Sequence, residues 1–170
     1  MKNKVTLLLT ISGMVIALDQ ITKVLVHTRF QLHESITIIE NFFNLTYVRN
    51  FGAAFGFLAQ TPVQFREIFF LSMPPFACAL ILYILWGLHP KQTKQIVALS
   101  FVFGGAVGNY LDRVQYRYVI DFIDFHFYNK QSWPAFNIAD VAIVSGVFTL
   151  IYFILTDKAD VKNNLQENSH

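Results

Sequence analysis

The chain has 170 residues, of which 54% are hydrophobic and only 14% are charged, and its mean hydropathy is +0.44. Soluble domains carry about 25% charged residues, so this composition excludes an ordinary soluble domain and predicts a multi-pass membrane protein with one domain. The net charge of +2 is too small to indicate a nucleic-acid partner.

Four apolar segments follow one another along the chain, at residues 5–26, 68–88, 95–111 and 138–156. Each is close to the roughly 20 residues that a helix needs to cross a bilayer. The first meets Asp19 without a small-residue cleavage site, so we expect a retained span rather than a removed signal peptide. Pro74 and Pro75 are expected to kink the second. The sequence therefore predicts a mainly α fold, with a four-helix transmembrane domain over residues 1–156 and a polar tail over 157–170.

The segment between the first two helices is too long for a tight turn. Residues 36–39 and 43–48 are rich in β-branched and aromatic side chains, which predicts two short strands. Residues 51–58 are apolar and rich in glycine, which indicates a segment in the membrane interface. The outer loop over residues 114–134 is rich in aromatic rings, which prefer the headgroup region.

Polar residues lie at corresponding ends of three predicted helices. Successive spans alternate in direction, so the ends of the first and third helices and the start of the fourth meet at one membrane face. The loop that holds Asp121 lies at the same face. The spacing therefore predicts one polar site near one surface of the bundle, formed by Asp19, Lys23, Asn109, Asp112, Arg113 and Asp140.

The charges alone leave the orientation open. The side that holds both termini carries six lysines, and the opposite side carries five arginines and one lysine. The positive-inside rule compares such counts, and here they are equal. We expect both termini in the cytoplasm because the arginines have other candidate roles.

Asp121 and Asp140 are the candidates for chemistry. Two carboxylates that share a site hold one proton between them. The ionised one draws a proton from water and the protonated one donates to a peptide carbonyl, as in an aspartic protease. In the alternative interpretation Asp121 is a loop acid and Asp140 a charge that favours a helix N-terminus. Spacing leaves both interpretations open, and it does not choose between Asp121 and Asp124.

Several other residues are candidates for supporting roles. Asp19 and Lys23 are four residues apart on a helix, which predicts a salt bridge. Asn137 is predicted either to cap the fourth helix or to hold an aspartate in place. Asp112 and Arg113 are expected to form a surface pair or a supporting ion pair.

Three glycines lie in the third predicted helix, and the histidines are scattered along the chain. Gly104, Gly105 and Gly108 predict close helix packing. The five histidines and the single cysteine, Cys78, have no spacing typical of a zinc site. We therefore predict no metal and no cofactor.

The order of the motifs resembles that of the bacterial lipoprotein signal peptidases (signal peptidase II), a family of membrane aspartic proteases. The resemblance covers nearly the whole chain. Its motifs lie at residues 18–23, 47–56, 104–109, 112–113, 118–122 and 136–140.

This resemblance implies an enzyme of the bacterial cytoplasmic (inner) membrane that removes the signal peptide from diacylglyceryl-modified prolipoproteins, cutting N-terminal to the lipidated cysteine. It implies an active site at the outer face, a small extracytoplasmic β-element, an interfacial helix and sensitivity to the cyclic peptide globomycin. It places the catalytic pair on Asp121 and Asp140 rather than Asp124. Residues 51–58 are then a candidate lid over the substrate groove. The matched supporting or substrate-binding positions are Asp19, Lys23, Asn50, Gly52, Asn109, Asp112, Arg113 and Asn137.

Overall fold

The structure is a computed structural model that describes residues 2–52, 61–127 and 131–167. It is mainly helical, as the composition predicts. Helices and strands follow in the order α1 (Lys2–Arg29), β1 (Ser35–Ile39), β2 (Phe43–Asn50), α2 (Val63–Gly87), α3 (Thr93–Tyr116), β3 (Val119–Phe127), β4 (Gln131–Ser132) and α4 (Ile138–Glu167).

Three helices of the described part are long and apolar enough to cross a membrane, and they match three of the four predicted spans. They are Asn3–Arg29, Val63–Gly87 and Ile138–Thr156. Pro74 and Pro75 lie inside the second of these. The backbone of α4 stays helical beyond the last span, to Glu167.

The remaining helix, α3, is not among the apolar span candidates. Its buried residues include Ser100, Gly104, Asn109 and Asp112. Small and polar side chains can occupy this face because α3 packs against α1, α2 and α4, so protein rather than lipid surrounds it. The apolar segment predicted at residues 95–111 therefore lies in α3. The small and polar residues of this helix reflect its contacts with the other three helices.

Glycines set the distance between α3 and its neighbours. A Cβ atom at Gly108 would lie 2.7 Å from Oδ2 of Asp19 on α1, and one at Gly105 would overlap the carbonyl oxygen of Ala139 on α4. The predicted close packing at these glycines is confirmed. It brings the polar ends of α1, α3 and α4 into direct contact.

Lys4 joins the start of α1 to the end of α2. Its buried ammonium group donates to the carbonyl oxygens of Leu85 (3.1 Å), Trp86 (3.0 Å) and Leu88 (2.7 Å). A cation favours a helix C-terminus because the last carbonyl groups have no partner within the helix. This contact requires α1 and α2 to run in opposite directions.

A small antiparallel sheet lies at the other end of α1, with its strands in the order β1-β2-β3-β4. The first two strands were predicted. The prediction that Asp121 lies in a loop is wrong, because it lies in strand β3. Val119–Phe127 is rich in the β-branched and aromatic residues typical of strands. One face of the sheet packs through Tyr47, Ile120 and Phe122 on Val26 of α1. Residues 53–60, which contain most of the predicted interfacial and lid segment, lie outside the described residues.

Candidate active site

Asp121 is placed by β3 and fixed by two amide side chains. Its Oδ1 accepts a hydrogen bond from Asn137 Nδ2 at 2.7 Å, and its Oδ2 accepts one from Asn50 Nδ2 at 2.9 Å. Asn50 ends β2, which pairs with β3 in an antiparallel register. The carboxyl group is only 2% exposed. Both of its oxygens therefore have donors that hold its orientation.

Asp140 lies in the first turn of α4. Its Oδ1 accepts from Asn109 Nδ2 at 2.8 Å, and its Oδ2 accepts from the backbone N–H of Asn137 at 3.2 Å. In return, the backbone N–H of Asp140 donates to Asn137 Oδ1 at 2.9 Å. This reciprocal pair is a capping box. Asn137 therefore fills both of its predicted roles, because it caps α4 and also donates to Asp121.

The two aspartates line one cavity of about 990 Å³. Asn50, Gly52, Asn109 and Arg113 line the same cavity. Part of its wall is apolar and comes from α4, through Val141, Ile143 and Val144. Carboxyl groups and an apolar surface therefore line the same cavity.

The environment of Asp121 favours its protonated form. Burial, followed by the negative charge of Asp140, raises the pKa of Asp121 to about 7. Hydrogen bonds from Asn50 and Asn137 and the charge of Lys23 oppose this shift, because each stabilises the carboxylate. With a pKa of about 7, Asp121 holds a proton in about half of the molecules at neutral pH.

A buried ion cluster lies next to Asn109, the residue that donates to Asp140. Lys23 Nζ lies 2.8 Å from Asp19 Oδ2 and 3.0 Å from Asp112 Oδ2, and all three side chains are at most 1% exposed. The predicted Asp19–Lys23 salt bridge is confirmed. Lys23 also donates to Asn109 Oδ1 at 2.9 Å, and Asn109 turns its amide nitrogen toward Asp140. One lysine therefore sets the direction of a side chain that holds a candidate catalytic acid.

The predicted pairing of Asp112 with Arg113 is wrong. Asp112 points into the bundle toward Lys23, and its Oδ2 also accepts from the backbone N–H of Ile120 at 3.0 Å. Arg113 instead donates to the carbonyl oxygens of Asn109 (3.3 Å) and Gly52 (3.2 Å). Adjacent residues on a helix project in directions about 100° apart, so they do not face a common partner.

The comparisons with known proteins agree with one another. The sequence profile described as Signal peptidase (SPase) II matches residues 11–156. The chain belongs to this family. Lipoprotein signal peptidases from Syntrophus aciditrophicus and Syntrophotalea carbinolica are 46% and 44% identical to it, over 89% and 85% of this chain and 93% and 88% of theirs. A solved bacterial membrane enzyme matches with a TM-score of 0.81 and 32% identity, over 90% of each chain.

Family membership makes the chain a membrane-embedded peptidase of the aspartic class. Every predicted site residue lies in the hydrogen-bonded group around Asp121 and Asp140, including Gly52, whose backbone N–H donates to Asn50 Oδ1 at 3.0 Å. Gly56, the second glycine of the predicted lid, lies outside the described residues.

Sequence reasoning missed Gln20. Its Nε2 donates to Asp112 Oδ1 at 2.9 Å, to the carbonyl oxygen of Gly108 at 3.1 Å and to Asp19 Oδ2 at 3.2 Å. It therefore bridges the two carboxylates that share Lys23. Helical spacing gives the signal that could have identified it, because Gln20 and Lys23 are three residues apart and so lie on the same side of α1.

Asp124 has a different set of partners from Asp121. Its Oδ2 accepts from the hydroxyl of Thr46 at 3.1 Å, and its Oδ1 lies 3.5 Å from Nδ1 of His126. Both partners belong to the sheet. Within the described residues, the amides of Asn50 and Asn137 serve Asp121 and not Asp124. The geometry therefore favours Asp121 as the partner of Asp140.

Proposed function

We propose that this chain removes the signal peptide from diacylglyceryl-modified prolipoproteins and cuts N-terminal to the lipidated cysteine. Asp121 and Asp140 form its catalytic pair. The observation that carries the proposal is the sharing of Asn137 by two carboxyl groups that line one cavity. Family membership supports the reaction and the substrate class.

The raised pKa of Asp121 assigns it as the protonated member of the pair. Asp140 takes a proton from a water molecule as that water attacks the scissile carbonyl carbon, while Asp121 donates its proton to the carbonyl oxygen. In the second step Asp140 passes its proton to the departing amide nitrogen, and a hydroxyl proton of the intermediate returns to Asp121. The pair ends with the single proton with which it began.

The supporting residues act on these two acids through hydrogen bonds. Asn50, Asn109 and Asn137 hold the carboxyl oxygens, so water and substrate meet a fixed pair. Arg113 holds the carbonyl of Gly52 beside the cavity. The ion cluster of Asp19, Lys23 and Asp112 orients Asn109.

The substrate enters from the bilayer in this proposal. Its diacylglyceryl chains lie against the apolar wall that includes Val141, Ile143 and Val144, in contact with membrane lipid. Globomycin competes for the same cavity. The polar end of the bundle admits the water that hydrolysis consumes.

We further propose that α3 is a fourth span, that both termini and the tail over residues 157–170 are cytoplasmic, and that the site lies at the outer face of the inner membrane. The arrangement of α3 supports this proposal because it follows α1 over the depth of the bundle. A Cβ atom at Gly104 would contact Ser12, and nearer the site Asp112 pairs with Lys23. A helix that accompanies a membrane span over this length shares its environment.

The test is cleavage of a diacylglyceryl-modified prolipoprotein by the purified protein in detergent. Asp121→Asn and Asp140→Asn are each expected to lower the rate by roughly 10²–10⁴-fold, because each removes one proton-transfer group. Mass spectrometry of the wild-type products should give a new N-terminus at the lipidated cysteine.

Asp124→Asn is the matched control, since it changes an aspartate of the same strand whose partners lie elsewhere. It should retain most of the activity. Normal cleavage by folded Asp121→Asn or Asp140→Asn protein would refute the catalytic assignment. If Asp124→Asn alone lost activity, Asp124 rather than Asp121 would be the catalytic aspartate of this strand.

A further inference from the structure

The two proposed catalytic acids receive hydrogen bonds from N–H groups alone. Asp121 accepts from the amide nitrogens of Asn50 and Asn137. Asp140 accepts from the amide nitrogen of Asn109 and from the backbone N–H of Asn137. Within the described residues, and apart from the other acid, the protein therefore offers neither carboxyl group an oxygen that accepts its proton.

This pattern requires each asparagine amide to keep one orientation, because turning an amide over exchanges a donor for an acceptor. Asn50 Oδ1 accepts from the backbone N–H of Gly52 at 3.0 Å, two residues further along the chain. Asn137 Oδ1 accepts from the backbone N–H of Asp140 at 2.9 Å, three residues further along. The local backbone therefore fixes the orientation of both of these amides.

The amide of Asn109 is different, because a side chain of another helix holds it. Its Oδ1 accepts from Lys23 Nζ at 2.9 Å. The three hydrogens of this ammonium group have three partners, since it also contacts Asp19 Oδ2 at 2.8 Å and Asp112 Oδ2 at 3.0 Å. Lysine has donors and no acceptor, so a reversed Asn109 would point its own donors at the ammonium group. Lys23 therefore opposes that orientation.

A second donor reaches the same oxygen of Asn109 but binds it less strongly. Asn137 Nδ2 lies 3.1 Å from it. Asn137 Nδ2 divides two hydrogens among three acceptors, because Asp121 Oδ1 lies at 2.7 Å and the carbonyl oxygen of Ile120 at 3.3 Å. The contact with Lys23 is shorter and carries a full charge, and charge-assisted hydrogen bonds are roughly twice as strong as neutral ones. Lys23 is therefore the main determinant of the orientation of Asn109.

A reversed Asn109 would change what Asp140 can do. Its Oδ1 would lie where its Nδ2 now lies, 2.8 Å from Asp140 Oδ1. Two oxygen atoms at this distance need a proton between them, so Asp140 would retain a proton and could not take one from water. The observed orientation donates to Asp140 instead, which stabilises the carboxylate.

We propose that Lys23 is a positioning residue that keeps Asp140 ionised by fixing the orientation of Asn109. Asp140 is then free to take the proton of the attacking water. A buried ion cluster often stabilises a protein no better than apolar residues of the same size, so this role gives the cluster a function beyond joining α1 to α3. The role in cleavage rests on the proposed catalytic pair, whereas the effect of Lys23 on Asp140 can be measured without substrate.

Infrared titration of the purified protein in detergent makes that measurement. A protonated carboxyl group absorbs separately from a carboxylate, and the protonated band that disappears in Asp140→Asn belongs to Asp140. Lys23→Met/Asp19→Asn removes the donor to Asn109 and keeps the net charge of the ion cluster. Its Asp140 band should appear at a pH about one unit higher than in the wild type, as the loss of a hydrogen bond that supports a charged group implies. An unshifted band in the folded double variant would overturn the proposal.

Two control variants keep a donor at position 23. Asp19→Asn changes the charge of the cluster but leaves Lys23 beside Asn109, and Lys23→Arg keeps both the charge and the donor-only character. In each control the Asp140 band should stay at the wild-type pH or move lower. A shift in Lys23→Arg as large as that in the double variant would overturn the proposal. Lys23→Met/Asp112→Asn makes the same exchange with the other carboxylate, so the test does not depend on the folding of one variant.

The pH dependence of cleavage separates positioning from packing. The acid limb of kcat/KM should move to higher pH in Lys23→Met/Asp19→Asn by the same interval as the infrared band. A rate that falls equally at every pH would show that Lys23 only supports the fold. If folded Asp140→Asn protein cleaved prolipoprotein while the band moved as expected, the catalytic assignment would fail and the effect of Lys23 on Asp140 would stand.

Discussion

The carboxyl group of Asp121 experiences opposing influences that together set its proton affinity. Burial and the charge of Asp140 favour the protonated acid, whereas the amides of Asn50 and Asn137 favour the carboxylate. The net effect raises the pKa of Asp121 to about 7. In the proposed mechanism the protonated form is active, so activity is present below this pKa and is lost as the pH rises through it. We expect the alkaline limb of kcat/KM to have its midpoint near pH 7.

Asn50→Ala should move that alkaline limb to higher pH. The substitution removes a donor that stabilises the carboxylate of Asp121, so the pKa of Asp121 rises further. The measurement is kcat/KM as a function of pH for the wild type and for Asn50→Ala. Thr46→Val is the control, because it removes a hydrogen bond to Asp124 and leaves the partners of Asp121 intact. A midpoint that stays in place or moves to lower pH in Asn50→Ala would contradict the role given to this amide.

Gln20 should stabilise the bundle although it touches neither proposed catalytic acid. Gln20→Ala removes an amide that donates to both Asp19 and Asp112. Loss of donors to buried charged groups costs about 1–3 kcal/mol, so thermal unfolding in detergent should occur at a lower temperature. The control is Ile21→Ala, which shortens a neighbouring side chain that is 58% exposed. Equal unfolding temperatures for the two variants would contradict a stabilising role for Gln20.

Much of the site could be predicted because its residues lie at the ends of apolar segments. That pattern locates Asp19, Lys23, Asn109 and Asp140 at one end of the bundle before any fold is known. It does not reveal partners, which depend on helix rotation and packing. Asp112 therefore pairs with Lys23 across two helices rather than with its sequence neighbour.

At the scale of elements, the limits of sequence reasoning follow from non-local contacts. Three helices face outward and have the continuous apolar composition that identifies a span. α3 packs against all three other helices, so small and polar residues occupy its buried face. β3 is stabilised by pairing with β2, more than 60 residues earlier in the chain, and strand preference depends strongly on such context. The sequence alone thus predicts the outer helices better than the central elements.

Packing between α3 and α4 should depend on the absence of a side chain at Gly105. A Cβ atom there would overlap the carbonyl oxygen of Ala139 and lie 2.7 Å from a side-chain carbon of Ile143. Gly105→Ala should therefore destabilise the protein by about 1–3 kcal/mol, as overpacking does. It should also lower cleavage activity, because α4 holds Asp140.

Gly13→Ala is the control for this substitution. Among the described residues, and apart from its chain neighbours and the adjacent backbone of its own helix, no atom lies within 4 Å of a Cβ built at Gly13. Replacing an exposed glycine within a helix by alanine is favourable by about 1 kcal/mol, so this variant should be as stable as the wild type or more stable. Thermal unfolding in detergent distinguishes the two. A stable Gly105→Ala protein would mean that α3 and α4 can separate without loss of the fold.

At the scale of the molecule, two lysines act at opposite ends of the bundle. Lys4 binds the last carbonyl groups of α2, and Lys23 joins α1 to α3 beside the proposed active site. Each lysine therefore links α1 to a neighbouring helix at one end of the bundle. Near Lys4 lies the short connection between α2 and α3, and near Lys23 lies the sheet. If α3 crosses the membrane, these two regions must face different compartments.

That arrangement predicts opposite labelling of the residues that flank α3. Lys91 precedes the helix and Arg117 follows it, and both are exposed. In a Cys78→Ala background, Arg117→Cys in intact bacterial cells should react with a membrane-impermeant maleimide, whereas Lys91→Cys should react only after the cells are opened. Reaction of both cysteines from the same side would show that α3 does not span. Reaction of Lys91→Cys alone in intact cells would keep four spans but invert the chain, and the site would then face the cytoplasm. The proposed location of the site at the outer face requires the first pattern, because only that orientation places Arg117, and with it the end of α3 that carries Asp112, on the outer side.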